Sequence, residues 1–240
     1  EEAIADFTRA IELDPQLSSS HSNRGNARYR LGDLDGALDD YDIAIAIDPR
    51  DTVAYINRGT IQRLQGHLEQ AIEDCDRAIE IDPRNALAHL ARAMAREASG
   101  NIDGAVEDYD RAIEIDPRNP EAYVNRGSIR QAQGDLAGAI EDWGRALRND
   151  PRDPIVYTNR GKARQARGDL EGAIQDYDRL IGMQPESFFP YLMRGQARRA
   201  LGDRQGTIED YRRAFELSPA DWPQRSELEA DLRELEGSDD

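Results

Sequence analysis

Residues 120–153 read PEAYVNRGSIRQAQGDLAGAIEDWGRALRNDPRD, and this stretch decides the fold. Its second half spaces Leu136, Ala139, Ile140, Trp143, Ala146 and Leu147 with a period of about 3.6, the stripe of a helix with one buried face. Gly134 followed by Asp135 combines a helix C-cap with the start of a new helix, and Asp150-Pro151 ends that second helix. The first half sets Arg126 and Arg130 four residues apart, on one helix face that Tyr123 and Gly127 bring near the buried side. The stretch is therefore a helix, a glycine turn, a second helix and a proline stop, with two cations close to its core.

The same pattern recurs along the chain. Pro15, Pro49, Pro83, Pro117, Pro151, Pro185 and Pro219 are spaced by 34 residues without a break. Slots are numbered here from the third residue after each periodic proline, which gives six complete repeats at 18–51, 52–85, 86–119, 120–153, 154–187 and 188–221. Slot 8 is small (Gly25, Gly59, Ala93, Gly127, Gly161, Gly195) and slot 15 is glycine in every repeat. Small residues in slots 8, 20 and 27 let paired helices approach closely. Rings in slot 4 (Tyr55, Tyr123, Tyr157, Tyr191) and slot 24 (Tyr41, Tyr109, Trp143, Tyr177, Tyr211) fill the remaining space. Residues 1–17 match only the second half of a repeat, so a partner to cover Phe7 and Ile11 is missing. Residues 222–240 are expected to form a capping helix, with Leu228, Leu232 and Leu235 on one side, and an acidic tail from Gly237.

The period, small residues, aromatics and closing proline resemble the tetratricopeptide repeat (TPR) family, in a bacterial-type array with an Asn-Arg-Gly first-helix motif. The resemblance covers residues 1 to about 221. It implies an all-α, right-handed superhelical solenoid of antiparallel helix pairs, whose first helices line a concave groove. Two slots depart from the family pattern. Arginine occupies slot 7, where the family has leucine, and also stands in slot 11 of five repeats, where the family has an aromatic (Arg28, Arg96, Arg130, Arg164, Arg198).

Composition narrows the functional classes. The net charge of −17 opposes sequence-independent nucleic-acid binding and attraction to anionic membranes. Lys162 is the one lysine, so nearly every cation is a forked guanidinium suited to carboxylates. The single cysteine, Cys75, excludes an intrachain disulfide and any multi-cysteine metal site. No run of about 18 apolar residues exists, so membrane insertion is not expected. The residues do not decide the compartment: the cytoplasm is the expectation and the periplasm stays open.

No enzyme is expected. His21 and His89 take the slot-4 aromatic position and are read as packed rings, His67 falls in a turn, and Cys75 replaces a slot-24 aromatic as a buried small hydrophobe. Gly161-Lys162 lacks the upstream glycine of a phosphate loop, and neither G-x-G-x-x-G nor G-x-S-x-G occurs. The acids repeat from one unit to the next, whereas a catalytic pair would break the repetition. Catalytic residues, metals and cofactors are all expected to be absent.

What remains is surface. The resemblance assigns slots 2, 5, 6, 9, 12 and 13 to the groove. Slot 6 holds Asn23, Asn57, Asn125 and Asn159, whose amides can pair with a peptide main chain whatever its sequence. Val53, Ile56, Leu90, Val124 and Leu192 supply apolar surface, and Lys162 a cation, for a hydrophobic segment. Slot 2 has no cation, which speaks against a clamp for a C-terminal carboxylate. The expected function is a non-catalytic scaffold holding an extended or helical peptide of a protein partner. The alternative is a structural module that self-associates through its uncapped N-terminal helix, or serves as the interaction arm of a larger, enzymatic protein. A lipid or small-molecule carrier is a third, weaker alternative, since nothing encloses such a ligand.

The arginines have an internal counterpart. Slot 23 is aspartate in every repeat, and in an antiparallel pair it stands level with slot 7. Arg24, Arg58, Arg92, Arg126, Arg160 and Arg194 are therefore expected to bond Asp40, Asp74, Asp108, Asp142, Asp176 and Asp210, within or across repeats, as a ladder. The competing reading is an arginine stripe that binds an anionic ligand. Arg130 has no partner from this argument.

Overall fold

The computed structural model describes residues 1–237 and divides the chain into two compact units, Glu1–Arg118 and the residues from Asn119 onward. All regular structure among the described residues is α-helical. The first unit holds α1 (Glu2–Leu13), α2 (Ser18–Arg30), α3 (Leu34–Ile47), α4 (Thr52–Leu64), α5 (Leu68–Ile81), α6 (Ala86–Ala98) and α7 (Ile102–Ile115). The second holds α8 (Pro120–Ala132), α9 (Leu136–Asn149), α10 (Pro154–Ala166), α11 (Leu170–Met183), α12 (Phe188–Leu201), α13 (Arg204–Leu217) and α14 (Arg225–Gly237). Within each unit every helix packs chiefly on its neighbours in sequence, which is the order of an all-α repeat solenoid.

Local chemistry sets the helix ends. The slot-15 glycines from Gly32 to Gly202 all adopt φ between 81° and 86°, a left-handed turn that other residues enter only with strain. After each turn, Asp33, Asn101, Asp135, Asp169 and Asp203 cap the next helix by accepting from the amides of Gly36, Gly104, Gly138, Gly172 and Gly206. His67 takes that position before α5 and makes no such bond.

The core is a series of aromatic plugs under small residues. Tyr41, Tyr109, Trp143 and Tyr177 are fully buried. A Cβ built on Gly25 would stand 2.8 Å from the Tyr41 ring, and one on Gly127 2.8 Å from Trp143 Nε1, so a side chain at slot 8 would displace the ring beneath it. Cys75 is buried in the aromatic slot of α5, and burial pushes its thiol up to about 12.

The ends differ from each other. Helix α1 packs on α2 but buries none of its residues fully, and Phe7 and Ile11 stay half-buried. In α14, Leu228 and Leu232 are buried against Ile208, Tyr211 and Ala214, with Leu235 partly covered beside them. Of the tail expected from Gly237, residues 238–240 lie outside the described residues.

Candidate binding surfaces

The first helices carry two kinds of exposed group side by side. Slot 2 is Ser19 and Glu121 in two repeats and apolar in the other four, where it is open to solvent: Val53 is 50% exposed on α4, Leu87 57% on α6 and Ile155 66% on α10. In slot 6, Asn23 is exposed on α2, while Asn125 on α8 and Asn159 on α10 are half-buried, and none of these three makes a hydrogen bond among the described residues. Asn57 differs, because its amide donates to Asn26 Oδ1 at 2.7 Å, the oxygen that also accepts from the Tyr41 hydroxyl. That amide belongs to an internal network.

Slot 5 needs correction. Ile56 and Leu90 are buried, at 9% and 5% exposure, and do not face a groove. Helix α4 packs against α2 and α6, and Ile56 joins Tyr55, Ala78 and Ala88 in one core cluster. In the second unit slot 5 is less covered. Val124 is half-buried on the edge of a 160 Å³ depression with Pro120, Glu121 and Val156. Leu192 lines a cavity of 310 Å³ between α12 and α14, together with Phe189, Met193, Trp222 and Leu228. Lys162 is exposed and sets its ammonium 5.1 Å from the centre of the Phe189 ring.

The arginines point inward. Arg24, Arg58, Arg92, Arg126, Arg160 and Arg194 each donate Nε and Nη2 to the slot-23 aspartate of their own repeat. The Nη2 distances run from 2.5 to 2.7 Å. The third nitrogen reaches back to the preceding repeat, where Arg58, Arg92 and Arg194 donate Nη1 to Asp42, Asp76 and Asp178 at 2.5–2.6 Å. One guanidinium thus ties a helix pair together and then ties that pair to the one before it. Hydrogen bonds to Asp74 and Asp108 raise the pKa of Arg58 and Arg92, against the opposing effect of burial.

The same aspartates settle Arg130, which the sequence left unpartnered. Arg28, Arg96, Arg130, Arg164 and Arg198 each bring Nη1 to 2.9 Å from the slot-23 carboxylate of their repeat. The same nitrogen also bonds the carbonyl of the slot-19 residue: Gly36, Gly104, Gly138, Gly172 or Gly206. A Cβ at these glycines would press first on the capping Asp or Asn side chain, and at Gly138 and Gly206 it would also lie 2.9 Å from Arg130 Cδ and Arg198 Cδ. A signal for this stood in the sequence: the one repeat with Gln62 in slot 11 and His67 in the capping slot has Gln70 in slot 19.

The histidines are structural. His21 and His89 are buried, with Nε2 3.2 Å from the carbonyls of Pro15 and Pro83. No group of acids, histidines and cysteines among the described residues could hold a metal ion. No helix among them is long and apolar enough to cross a membrane.

Comparison with known proteins agrees with this architecture. Models described as TPR repeat match residues 1–32 and 95–134, and models described as tetratricopeptide repeat match 18–51, 52–85, 124–188 and 190–221. No curated protein matches the chain. Among solved structures, one of Pseudomonas aeruginosa pilF aligns with a TM-score of 0.73 at 18% identity, over 89% of this chain and 97% of that one. The structure of YrrB, described as a TPR protein with an unusual peptide-binding site, aligns at 0.57 and 22% identity, over 75% and 92%. MamA aligns at 0.59 and 21%, over 70% and 92%. At such identities the likeness concerns the fold. The chain belongs to the tetratricopeptide repeat family, whose all-α repeats typically serve as non-catalytic protein-interaction modules.

Proposed function

We propose that this interaction scaffold binds an extended or helical peptide segment of a protein partner along its first helices, with a row of contacts in each unit. The observation that carries this reading is the presence on the first helices of exposed apolar residues in slot 2 and unengaged amides in slot 6, which meet in one repeat at Ile155 and Asn159. Val53, Leu87 and Ile155 keep half or more of their surface in water in a chain of net charge −17, apolar surface that a bound segment would remove from water. The amides of Asn23, Asn125 and Asn159 offer both donors and an acceptor to a passing main chain. The apolar cavity beside Leu192 and Trp222 provides an anchor for one larger side chain. The solved YrrB structure, described as having a peptide-binding site, belongs to the same fold.

The test is selection of binding peptides from a random display library, followed by affinity measurement. Replacing Asn125 and Asn159 together with alanine removes two main-chain contacts at about 1 kcal/mol each, so affinity should fall about tenfold or more with helicity unchanged. Selected peptides that bind both proteins equally would end the groove reading.

A second reading, self-association through α1, is favoured by the half-buried Phe7 and Ile11 and by Leu13, which is 74% exposed. Light scattering across a concentration series tests it: a Phe7→Asp variant should shift a dimer to monomer, and a strict monomer in the unaltered protein contradicts it.

A further inference from the structure

The repeat loses several of its second-helix acids together around Arg160. Slot 25 is aspartate at Asp42, Asp76, Asp110 and Asp178, but glycine at Gly144 and arginine at Arg212. Slot 29 is glutamate at Glu80, Glu114 and Glu216, but alanine at Ala46, arginine at Arg148 and glycine at Gly182. The departures at Gly144, Arg148 and Gly182 surround Arg160, whose Nη1 would meet the missing slot-25 carboxylate. In Arg58, Arg92 and Arg194 that nitrogen has its acid at 2.5–2.6 Å, and in Arg24 it meets the Thr8 hydroxyl at 3.3 Å. In Arg160, Nε and Nη2 hold Asp176 at 3.0 and 2.5 Å, while Nη1 makes no hydrogen bond among the described residues.

A pocket of about 630 Å³ opens at this gap, bounded by α9, α10 and α11. Arg148, Arg160, Arg164 and Arg179 line it, against the carboxylates of Asp176 and Asp178. Both acids are already engaged, Asp176 by Arg160 and Arg164, and Asp178 by Arg194 at 2.5 Å. Arg148 and Arg179 are exposed and carry no ion pair among the described residues. In Arg77, Arg111 and Arg213 the slot-26 arginine pairs with the slot-29 glutamate of its own helix, a partner that Arg179 loses to Gly182.

Packing does not require these glycines. A Cβ on Gly144 would meet only Arg160 Nη1, at 3.7 Å, and one on Gly182 would meet nothing within 4 Å. Both lie inside helices, where glycine costs stability relative to alanine. The chain therefore gives up helix stability, together with three carboxylates, to leave one cluster of guanidinium groups unneutralised.

The geometry points to a binding site for a phosphate group in this pocket, held by Arg160 Nη1 with Arg148 and Arg179. A single carboxylate would replace only the slot-25 acid. The pocket lacks three acids and gains a cation relative to the surroundings of Arg92, where Asp76, Glu80 and Glu114 stand, which matches the charge of a dianionic tetrahedral oxyanion with several acceptor oxygens. Neither Asn125 nor Asn159 lines this pocket, so the site does not depend on peptide binding at the slot-6 amides.

Nuclear magnetic resonance titration at low ionic strength tests it, with inorganic phosphate, pyrophosphate and a short phosphoserine peptide as probes and acetate as the monoanion control. Saturable shifts of the Gly144 amide and the Arg160 Nε–H are expected with at least one phosphate probe. Response to the inorganic ions assigns a free anion; response to the phosphopeptide alone assigns a tethered group. Gly144→Asp supplies the missing carboxylate from within, and Arg148→Glu restores the repeat pattern at an exposed position. Each should weaken binding about tenfold or more, with unchanged circular dichroism. Arg145→Glu, outside the pocket, should leave binding unchanged. No saturable shift with any phosphate probe, equal affinity for acetate, or undiminished binding by both pocket variants overturns the assignment.

Discussion

Replacing Asp210 with alanine asks how much each rung of the arginine ladder holds. Asp210 is 2% exposed and accepts from Arg194 Nε at 3.0 Å, Arg194 Nη2 at 2.6 Å and Arg198 Nη1 at 2.9 Å. Removing one partner of a fully buried pair costs about 3–5 kcal/mol, mostly because the opposite charge is left without compensation. Here two guanidinium groups are stranded, but their side chains keep 17% and 22% exposure, so water recovers part of the loss. Arg194 also keeps Asp178. About 3 kcal/mol is expected. Asp178→Ala supplies the comparison: its side chain is 49% exposed and it meets the same arginine through one nitrogen, so about 1 kcal/mol or less is expected. Urea titrations followed by tryptophan fluorescence read the second unit, because Trp143 and Trp222 both lie there. A cost below about 1 kcal/mol for Asp210→Ala, or equal costs for the two variants, would refute the reasoning.

Other expectations follow from close contacts and burial. Gly138→Ala drives a methyl into the capping carboxylate of Asp135 and to 2.9 Å from Arg130 Cδ, and should cost about 1–3 kcal/mol in urea, whereas the same change at Gly182, where nothing lies within 4 Å, should stabilise slightly. Cys75 should react with a thiol reagent at pH 8 at a small fraction of the rate seen in urea, since burial pushes its thiol up to about 12. The native state then holds a proton that the unfolded chain releases above about pH 8.5, so Cys75 makes stability fall as pH rises from there toward 12, and Cys75→Ala should lessen that fall. Leu87→Asp should leave the unfolding midpoint nearly unchanged, because Leu87 is 57% exposed, while Leu90→Asp should unfold the first unit, because Leu90 is 5% exposed. Thermal melts of the two variants separate these outcomes.

Much of the fold was legible because each signal recurs. Glycine in slot 15 marks a backbone that must turn left-handed, and proline every 34 residues marks where each pair stops. Recurrence also singled out slot 23 as the counterpart of slot 7. Height along the helices could not say which repeat supplies the acid; the structure uses a carboxylate within the repeat for two guanidinium nitrogens and, at Arg58, Arg92 and Arg194, one from the repeat before for the third. Arg130 escaped the reading because its partners are an aspartate already assigned to Arg126 and a backbone carbonyl, which leaves no mark in the side-chain pattern. Slot 5 was misjudged at Ile56 and Leu90 because a single-helix pattern cannot show how closely neighbouring first helices pack. The division after Arg118 also left no mark, since the 34-residue period runs through it unchanged.

The binding surface is tested most directly by site-specific photo-crosslinking to a selected peptide. A photoreactive residue placed at Val53, Leu87 or Ile155 samples slot 2, and one placed at Glu107, Glu141 or Arg145 samples exposed positions of second helices. Adducts from the first group and none from the second are the expected result. Adducts confined to the second-helix positions would contradict the proposal that the first helices carry the partner.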